Sequence, residues 1–140
     1  MRIVVIDGQG GKLGQRLVEG VREKCPQAEL YAVGVNSAAT ERMRKGGALR
    51  VSTGENAIAY ACRRADILLG PMGIAITDSM MGEISPAIAE AVARSTAKRV
   101  LVPMNLCDTY ISGTAGISAE ALISDAVSRV CALVAEAEKN

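Results

Sequence analysis

A glycine-rich loop directly behind the first apolar run is the part of the sequence best suited to chemistry. It comprises Gly8, Gln9, Gly10, Gly11, Lys12, Leu13 and Gly14, which fit G-x-x-G-x-x-G and the opening of the dinucleotide pattern G-x-G-x-x-G. In that pattern one glycine makes a tight turn, one lets the backbone approach a phosphate, and one permits close packing of helix on strand. The helix that follows adds unpaired N–H groups and partial positive charge, and Lys12 adds a full charge. The loop therefore predicts a site for a nucleotide or other phosphate-bearing ligand.

Two features of the same loop support a purely structural alternative. The glycines would equally permit a sharp turn and close helix packing without any ligand. Asp7 stands at the mouth of the loop, where its carboxylate repels a pyrophosphate unless a cation intervenes or its oxygens bond to loop N–H groups as an Asx-type cap. A Walker P-loop is excluded, because no G-K-[ST] closes the loop.

The end of the second predicted strand bears on the choice of nucleotide. Enzymes that prefer NAD place Asp or Glu there for the ribose, whereas this chain has Asn36 and Ser37. Together with Arg42 and Arg44 these residues could take a ribose 2′-phosphate, or they could form a helix N-cap beside a solvated basic face. NADP(H) is accordingly the leading candidate cofactor, with NAD(H) or another nucleotide as the alternatives.

Polar residues and glycines also follow the other predicted strands. Gly70, Pro71, Met72 and Gly73 follow the fourth strand, Ser52 to Asn56 follow the third, and Met104 and Asn105 follow the fifth. Open parallel sheets bind ligands at the carboxyl ends of their strands. We therefore expect these turns to line one pocket together with the first loop, although each alone is ordinary turn chemistry.

The remaining reactive side chains offer little conventional catalysis. The chain has no histidine, which removes the commonest general acid or base. Its four cysteines are widely spaced and predict reduced, mostly buried thiols; Cys107 as a nucleophile is the less favoured alternative. Asp78 and Glu83 could hold a hydrated Mg²⁺ or act as an acid/base pair, but we favour solvated loop charges. The catalytic residues, if there are any, stay undetermined.

Alternating strand and helix patterns predict how these residues are positioned. The predicted strands are 2–7, 30–35, 48–51, 66–70 and 99–103, and helices begin behind the first loop, at 38, near 53–56, at Ser85-Pro86 and at Ser118. Such alternation indicates a doubly wound α/β fold in three layers, a mostly parallel sheet between two helical layers, with strand order 3-2-1-4-5.

Length and composition set the remaining bounds. With 140 residues, 49% of them hydrophobic, residues 1–140 are predicted to form a single domain. A net charge of +1 without a basic block argues against nucleic acid as a partner. The absence of a signal peptide or long apolar span predicts a cytoplasmic protein without membrane contact. Met80, Met81 and Ile84 predict a homodimer or larger assembly, because a small monomer would struggle to bury them.

Three sequence blocks carry a family resemblance. They are Ile6-Asp7-Gly8-Gln9-Gly10-Gly11, Thr53-Gly54-Glu55-Asn56-Ala57 and Gly70-Pro71-Met72-Gly73-Ile74. Together they resemble a family of short bacterial proteins classed as domain-of-unknown-function family 3842, over nearly the whole chain. The resemblance implies a Rossmann-like fold and a shared pocket. The first loop alone also resembles that of dihydrodipicolinate reductases, which bind NADPH or NADH, but the likeness ends after the first strand and helix.

Two functions fit these observations. The first is a small nucleotide-binding sensor or accessory module. The second is a small NADP-linked oxidoreductase or phosphate-substrate enzyme whose active site is completed across a dimer. The missing histidine and the missing second domain favour the binding module.

Overall fold

The architecture is a parallel sheet between two layers of helices. The computed structural model describes residues 1–104, 106 and 108–140. Its strands are β1 (Arg2–Asp7), β2 (Glu29–Gly34), β3 (Arg50–Thr53), β4 (Ile67–Pro71) and β5 (Lys98–Val102). Its α-helices are α1 (Lys12–Lys24), α2 (Ser37–Lys45), α3 (Glu55–Arg64), α4 (Pro86–Arg94) and α5 (Ala119–Glu138), and a short 3-10 helix covers Met72–Ala75.

Within the described part of the chain, the five strands form one sheet in the order β3-β2-β1-β4-β5. All four strand pairs are parallel. In register, Val4 of β1 lies between Tyr31 of β2 and Leu68 of β4. The predicted fold class and strand order are therefore confirmed, and β1 occupies the centre of the sheet.

The uninterrupted apolar run of β1 reflects burial on both faces of the sheet. Ile3 and Val5 point into a core shared with α1, α2 and α5. Val4 and Ile6 point into a second core shared with α3 and α4. Each of these four side chains is at most 1% exposed. Central burial fixes β1, and so fixes the starting point of the glycine loop at its carboxyl end.

Helix starts follow the predicted capping chemistry. Ser85 Oγ accepts a hydrogen bond of 3.2 Å from the backbone N–H of Ile88, with Pro86 at the first helical position. Ser118 caps α5 in the same way, through the N–H of Ala121 at 3.1 Å. Asn36 caps α2, as one of the two interpretations of that residue requires.

The third strand differs most from its prediction. It runs from Arg50 to Thr53, two residues later than the predicted 48–51. Ala48 is buried, but Leu49 is 84% exposed, and pairing with β2 begins only where Arg50 meets Tyr31. The apolar character of Leu49 therefore misplaced the strand. The second, fourth and fifth strands each lie within one residue of the predicted bounds.

Candidate functional site

The glycine loop lies at the centre of the carboxyl edge of the sheet. From β1 the chain passes through α1 to β2 on one side, whereas β4 pairs with β1 on the other side. The helices that follow β3 and β4 pack in the core on the opposite face from α1. Strand order thus reverses next to β1, and such a reversal opens a crevice where ligands bind in open α/β sheets.

Asp7 is the buried polar residue at the base of the loop. This residue is 5% exposed. Its two carboxylate oxygens accept hydrogen bonds from Gly8 N at 2.8 Å and from Gly14 N at 2.7 Å. Burial raises the pKa of this carboxyl; the two backbone bonds act against that rise, and the charge of Glu83 adds to it. Asp7 therefore closes the loop internally, as the Asx-type interpretation requires.

The glycines of the loop divide into packing positions and one open position. Gly11 has a positive φ of 73°, and a Cβ there would lie 2.6 Å from the backbone Cα of Ala39 in α2. A Cβ on Gly14 would lie 2.7 Å from the sulfur of Met43. Gly10 has no atom within 4 Å of such a Cβ. The structural alternative thus holds for Gly11 and Gly14, and Gly10 is the place where a ligand has room to approach.

Glu83, from the connection between β4 and α4, contacts the loop directly. One carboxylate oxygen accepts a hydrogen bond from Gln9 N at 2.5 Å, and the other accepts one from Asn36 Nδ2 at 2.6 Å. The carboxylate lies against Gly8, so that a Cβ on Gly8 would collide with it. This negative group, far away in sequence, occupies an N–H donor of the predicted anion loop. It is not the solvated loop charge that we favoured.

Other donors of the loop remain open. No acceptor among the described residues bonds the N–H groups of Gly10, Lys12 or Leu13. The latter two begin α1, where the helix dipole favours an anion. A cavity of about 130 Å³ adjoins them. It is lined by residues 7–13 and by Pro71, Gly73, Ser79, Met80 and Met104.

Asn36 and Ser37 lie beside the loop in different roles. The Oδ1 of Asn36 accepts from Ala39 N at 2.8 Å, and its Nδ2 donates to Gln9 O at 3.0 Å as well as to Glu83. The Asn36 side chain is thus engaged in capping α2 and joining it to the loop. Ser37 is exposed at the first position of α2, and Arg42 and Arg44 are exposed further along it.

The predicted block after β4 meets the loop in part. Pro71 and Gly73 line the cavity, whereas Met72 does not. Gly70 is required by strand packing, because a Cβ there would collide with the carbonyl oxygen of Ile6. Gly73 is approached by Ser79, whose hydroxyl donates to the Gly73 carbonyl. The sheet therefore brings part of this block and the first loop to one place, whereas Asn36, Ser37 and the turn from Ser52 to Asn56 do not line this cavity.

The segment that delivers Glu83 has an unusual backbone. Asp78, Met80 and Met81 have φ values of 67°, 57° and 58°, a region that non-glycine residues seldom adopt. Ile84 is fully buried in the α3/α4 core, and only Met81 is strongly exposed, at 92%. The expectation that one chain could not bury this segment is thus wrong for Ile84. Homodimer formation stays a prediction, and it now depends on the exposed side chain of Met81 at the tip of this segment.

The other candidates for chemistry are not drawn into the site. Cys25 and Cys62 are buried, and burial raises the pKa of each thiol to about 11, which keeps both protonated. Asp78 is exposed, and residues 1–104, 106 and 108–140 contain no cluster of three or more His, Cys, Asp or Glu side chains placed to hold a metal ion. Asn105 and Cys107 lie outside the described residues, so their predictions stay untested.

Sequence reasoning named the loop but missed Glu83 as its partner. Neither composition nor spacing links residue 83 to residue 9. The available signal was indirect: a carboxylate in a segment with glycine at 82 and a helix start at 85–86, after the strand that neighbours β1.

No helix in the described ranges is both long and apolar enough to cross a bilayer.

Comparisons with known proteins place the chain in a family. A dodecameric FMN-dependent UbiX-like decarboxylase from Escherichia coli O157:H7 is similar at 16% identity, with 96% of this chain and 95% of that chain covered and a TM-score of 0.46. A universal stress protein in complex with cAMP is similar at 18% identity, with coverage of 71% and 94% and a TM-score of 0.41. No curated protein matches the sequence. The family model described as Domain of unknown function (DUF3842) matches residues 2–135, and the chain belongs to that family.

Proposed function

We propose that the protein binds a nucleotide or other phosphate-bearing ligand on the loop from Gly8 to Gly14, as a sensor or accessory module. The observation that carries this proposal is the carboxylate of Glu83 on the N–H of Gln9. The loop already takes a negatively charged oxygen from its own chain, so its backbone is arranged to accept an anion. A phosphate oxygen presents the same chemistry as this carboxylate oxygen.

The phosphate is expected beside Gly10, where the N–H groups of Gly10, Lys12 and Leu13 have no described acceptor. Gly10 leaves the approach open, and the exposed Lys12 supplies a positive charge. The carboxylate of Asp7 accepts hydrogen bonds from the N–H groups of Gly8 and Gly14 and so holds the shape of the loop. Backbone donors thus bind the anion, and the buried carboxylate positions those donors.

The size of the cavity limits how a ligand fits. Its 130 Å³ is below the ~300–1,000 Å³ usual for small-molecule pockets, so it admits a phosphate group rather than a whole nucleotide. The remainder of the ligand would lie across the exposed edge towards Ser37, or enter as the Glu83 segment moves. NADP(H) is the first compound to test, because Arg42 lies exposed on α2 behind Ser37. NAD(H) and other nucleotides follow.

A small NADP-linked or phosphate-substrate enzyme completed across a dimer is the alternative. The chain contains no histidine. The buried carboxylate of Asp7 is already bonded to two backbone N–H groups. A binding module therefore accounts for the arrangement without a further general acid or base, which an enzyme would require.

A thermal-shift panel with the Gly10→Val variant tests the proposal. At about one hundred times Kd a ligand should stabilise the wild type by roughly 2.7 kcal/mol, a shift of several degrees. A Cβ at position 10 meets no described atom within 4 Å, so valine there should abolish this shift while the unliganded melting temperature changes little. Lys12→Ala should weaken binding, most strongly at low salt.

Gly11→Ala serves as the contrasting variant. Its Cβ meets the α2 backbone and its φ is positive, so it should destabilise the unliganded protein by about 1–3 kcal/mol. If NADP(H), NAD(H), ATP and inorganic phosphate all leave the wild-type melting curve unchanged, and denatured protein releases no co-purified ligand by mass spectrometry, the loop is a packing device.

A further inference from the structure

A second cavity, larger than the one at the loop, lies on the face of the sheet covered by α3. Its volume is about 330 Å³, within the range of small-molecule sites. It is bounded by β1, β2 and β3 below and by α3 at the side. No residue in the described part of the chain lines both this groove and the cavity of the glycine loop. We call it the α3 groove.

The α3 groove exists because small residues face it. Ala57 and Ala61 line it from α3, so this helix leaves open a space that larger side chains would fill. Its apolar floor is formed mainly by half-buried side chains, those of Tyr31, Val51, Ala57 and Ala61, because Val4 and Val33, which also line it, are only 1% and 2% exposed. Such a floor suits a flat apolar ligand group, because water in contact with it finds few hydrogen-bond partners and is displaced at little cost.

Positive charge surrounds this apolar floor. Arg2, Arg50 and Arg64 line the groove, and Arg2 and Arg50 share one carboxylate, that of Glu29, at 3.3 and 3.2 Å. Both guanidinium groups also lie over the ring of Tyr31, at 4.9 and 5.3 Å from its centroid. The carboxylate of Asp66 accepts a hydrogen bond from the backbone N–H of Arg2 at 2.6 Å, so three guanidinium groups stand against two nearby carboxylates and positive charge remains in excess.

Arg64 is the groove arginine whose guanidinium is best placed to bind an anion. Its guanidinium lies 3.7 Å from the ring centroid of Tyr60, which is 51% exposed. Among the described residues it forms no ion pair. The aromatic contact holds the guanidinium plane beside the groove while its N–H donors stay free for a bidentate anion.

We propose that the α3 groove binds an amphipathic organic anion, with an apolar or aromatic body against Tyr31, Ala57 and Ala61 and a carboxylate, sulfonate or phosphate group on Arg64. Complementary charge and an apolar floor together define this class of ligand. Neither a neutral hydrophobe nor inorganic phosphate satisfies both. The proposal stands independently of the ligand at the glycine loop.

Anilinonaphthalene sulfonate, an aromatic anion whose fluorescence reports burial, is the probe for this site. The folded wild type should bind it saturably, and the uncharged phenylnaphthylamine should bind at least about fivefold more weakly. Arg64→Gln should weaken binding by about tenfold, the loss of one charge-assisted contact. Ala57→Leu, which fills the groove, should weaken it at least as much.

Two matched controls accompany these variants. Arg129→Gln removes an exposed arginine from α5, which packs on the other face of the sheet, and Ala87→Leu adds the same bulk at an exposed position of α4. Both should keep the dissociation constant of the probe within about twofold, and thermal melts should show every variant folded. If Ala57→Leu does not fold, the comparison of Arg64→Gln with Arg129→Gln still decides the question.

Three results would overturn the proposal. One is equal binding by groove and control variants, which would mean non-specific adsorption of the probe. Another is equal binding of the neutral analogue, which would remove the role of charge. The third is a wild-type dimer in sedimentation that Ala57→Leu dissociates, because the groove would then be covered by a second copy of the chain.

Discussion

At the scale of single residues, two carboxylates meet at the glycine loop and act differently. Asp7 is held by two loop N–H groups and cannot leave without unmaking the turn. Glu83 bonds to one loop N–H and to the amide of Asn36, and it arrives from a separate segment. Asp7 is therefore part of the loop, whereas Glu83 is a group that an incoming anion would compete with or repel.

The first prediction concerns Glu83→Gln. The amide keeps one oxygen as an acceptor for Gln9 N but removes the negative charge beside the expected phosphate. Charge interactions at such partly exposed positions amount to ~0.5–1 kcal/mol, so phosphate-bearing ligands should bind roughly two- to fivefold more tightly. Isothermal titration with the ligand that gives the largest thermal shift measures the change.

Glu23→Gln is the control for this prediction, because it removes an exposed carboxylate near the end of α1. It should leave the affinity within about 1.5-fold, since a screened charge one helix length away has little effect at physiological salt. Weaker binding by Glu83→Gln would contradict the competition argument and show that this carboxylate organises the loop for its ligand.

The second prediction concerns Asp7 and pH. Burial raises the pKa of Asp7 above its ordinary 3.8, so the folded protein holds this proton more tightly than the unfolded chain does. The contribution of Asp7 to stability is then fully present below pH 3.8 and falls as pH rises through the pKa of the folded state. Urea unfolding of wild type and Asp7→Asn at several pH values measures it as the difference between the two proteins.

As pH rises through this window, the wild type should lose stability relative to Asp7→Asn, and the difference between them should level off above it. Asparagine has one oxygen for two donors, so Asp7→Asn should also carry a loss of about 1–3 kcal/mol that does not depend on pH. A difference that shifts towards the wild type with rising pH would mean that the two backbone bonds outweigh desolvation.

At the scale of elements, the connection from β4 to α4 sets the position of Glu83. Left-handed φ values at Asp78, Met80 and Met81 fold this connection tightly, and Ile84 anchors it in the core. Backbone bonds from Asp78 N to Ile84 O at 2.8 Å and from Gly82 N to Asp78 O at 3.0 Å close it on itself. Its anchor and its exposed tip should therefore respond very differently to truncation.

The third prediction compares Ile84→Ala with Met81→Ala. Ile84 is fully buried, so its truncation should cost about 2–5 kcal/mol in the free energy of unfolding. Met81 is 92% exposed, and its truncation should change stability by less than about 0.5 kcal/mol. Chemical denaturation of both variants decides it; equal losses would show that the tip is covered, as a homodimer through Met81 requires.

The sequence predicted elements well where patterns were local and less well where they depended on distant partners. The apolar run at β1, the Ser85-Pro86 start and the Ser118 cap all depend on neighbouring residues, and all are confirmed. The contact of Glu83 with the loop depends on strand order and on the turn that ends β4, so no local pattern reveals it. Whether Ala57 and Ala61 of α3 are covered or line a groove depends in the same way on the side chains that face them, which no local pattern reveals.

At the scale of the whole molecule, the two cavities lie at different places on the sheet and have different linings. The glycine loop follows the carboxyl end of β1, whereas Val4 on the floor of the α3 groove lies four residues earlier. An extended strand rises ~3.3 Å per residue, so these points are roughly 13 Å apart. The central strand β1 is buried on both faces and joins them as a rigid element.

The last prediction is that the two sites act independently. Substitutions more than ~7–10 Å apart with no shared partner generally have additive effects, and no described residue lines both cavities. Gly10→Val should therefore leave the affinity for anilinonaphthalene sulfonate within about twofold, and Arg64→Gln should leave the nucleotide thermal shift unchanged. When both ligands are present, their stabilising free energies should add within about 0.5 kcal/mol. A larger departure, or a loss of both activities in either variant, would mean that β1 or the Glu83 segment has two arrangements that both ligands bias, and coupling between the sites would then replace independence.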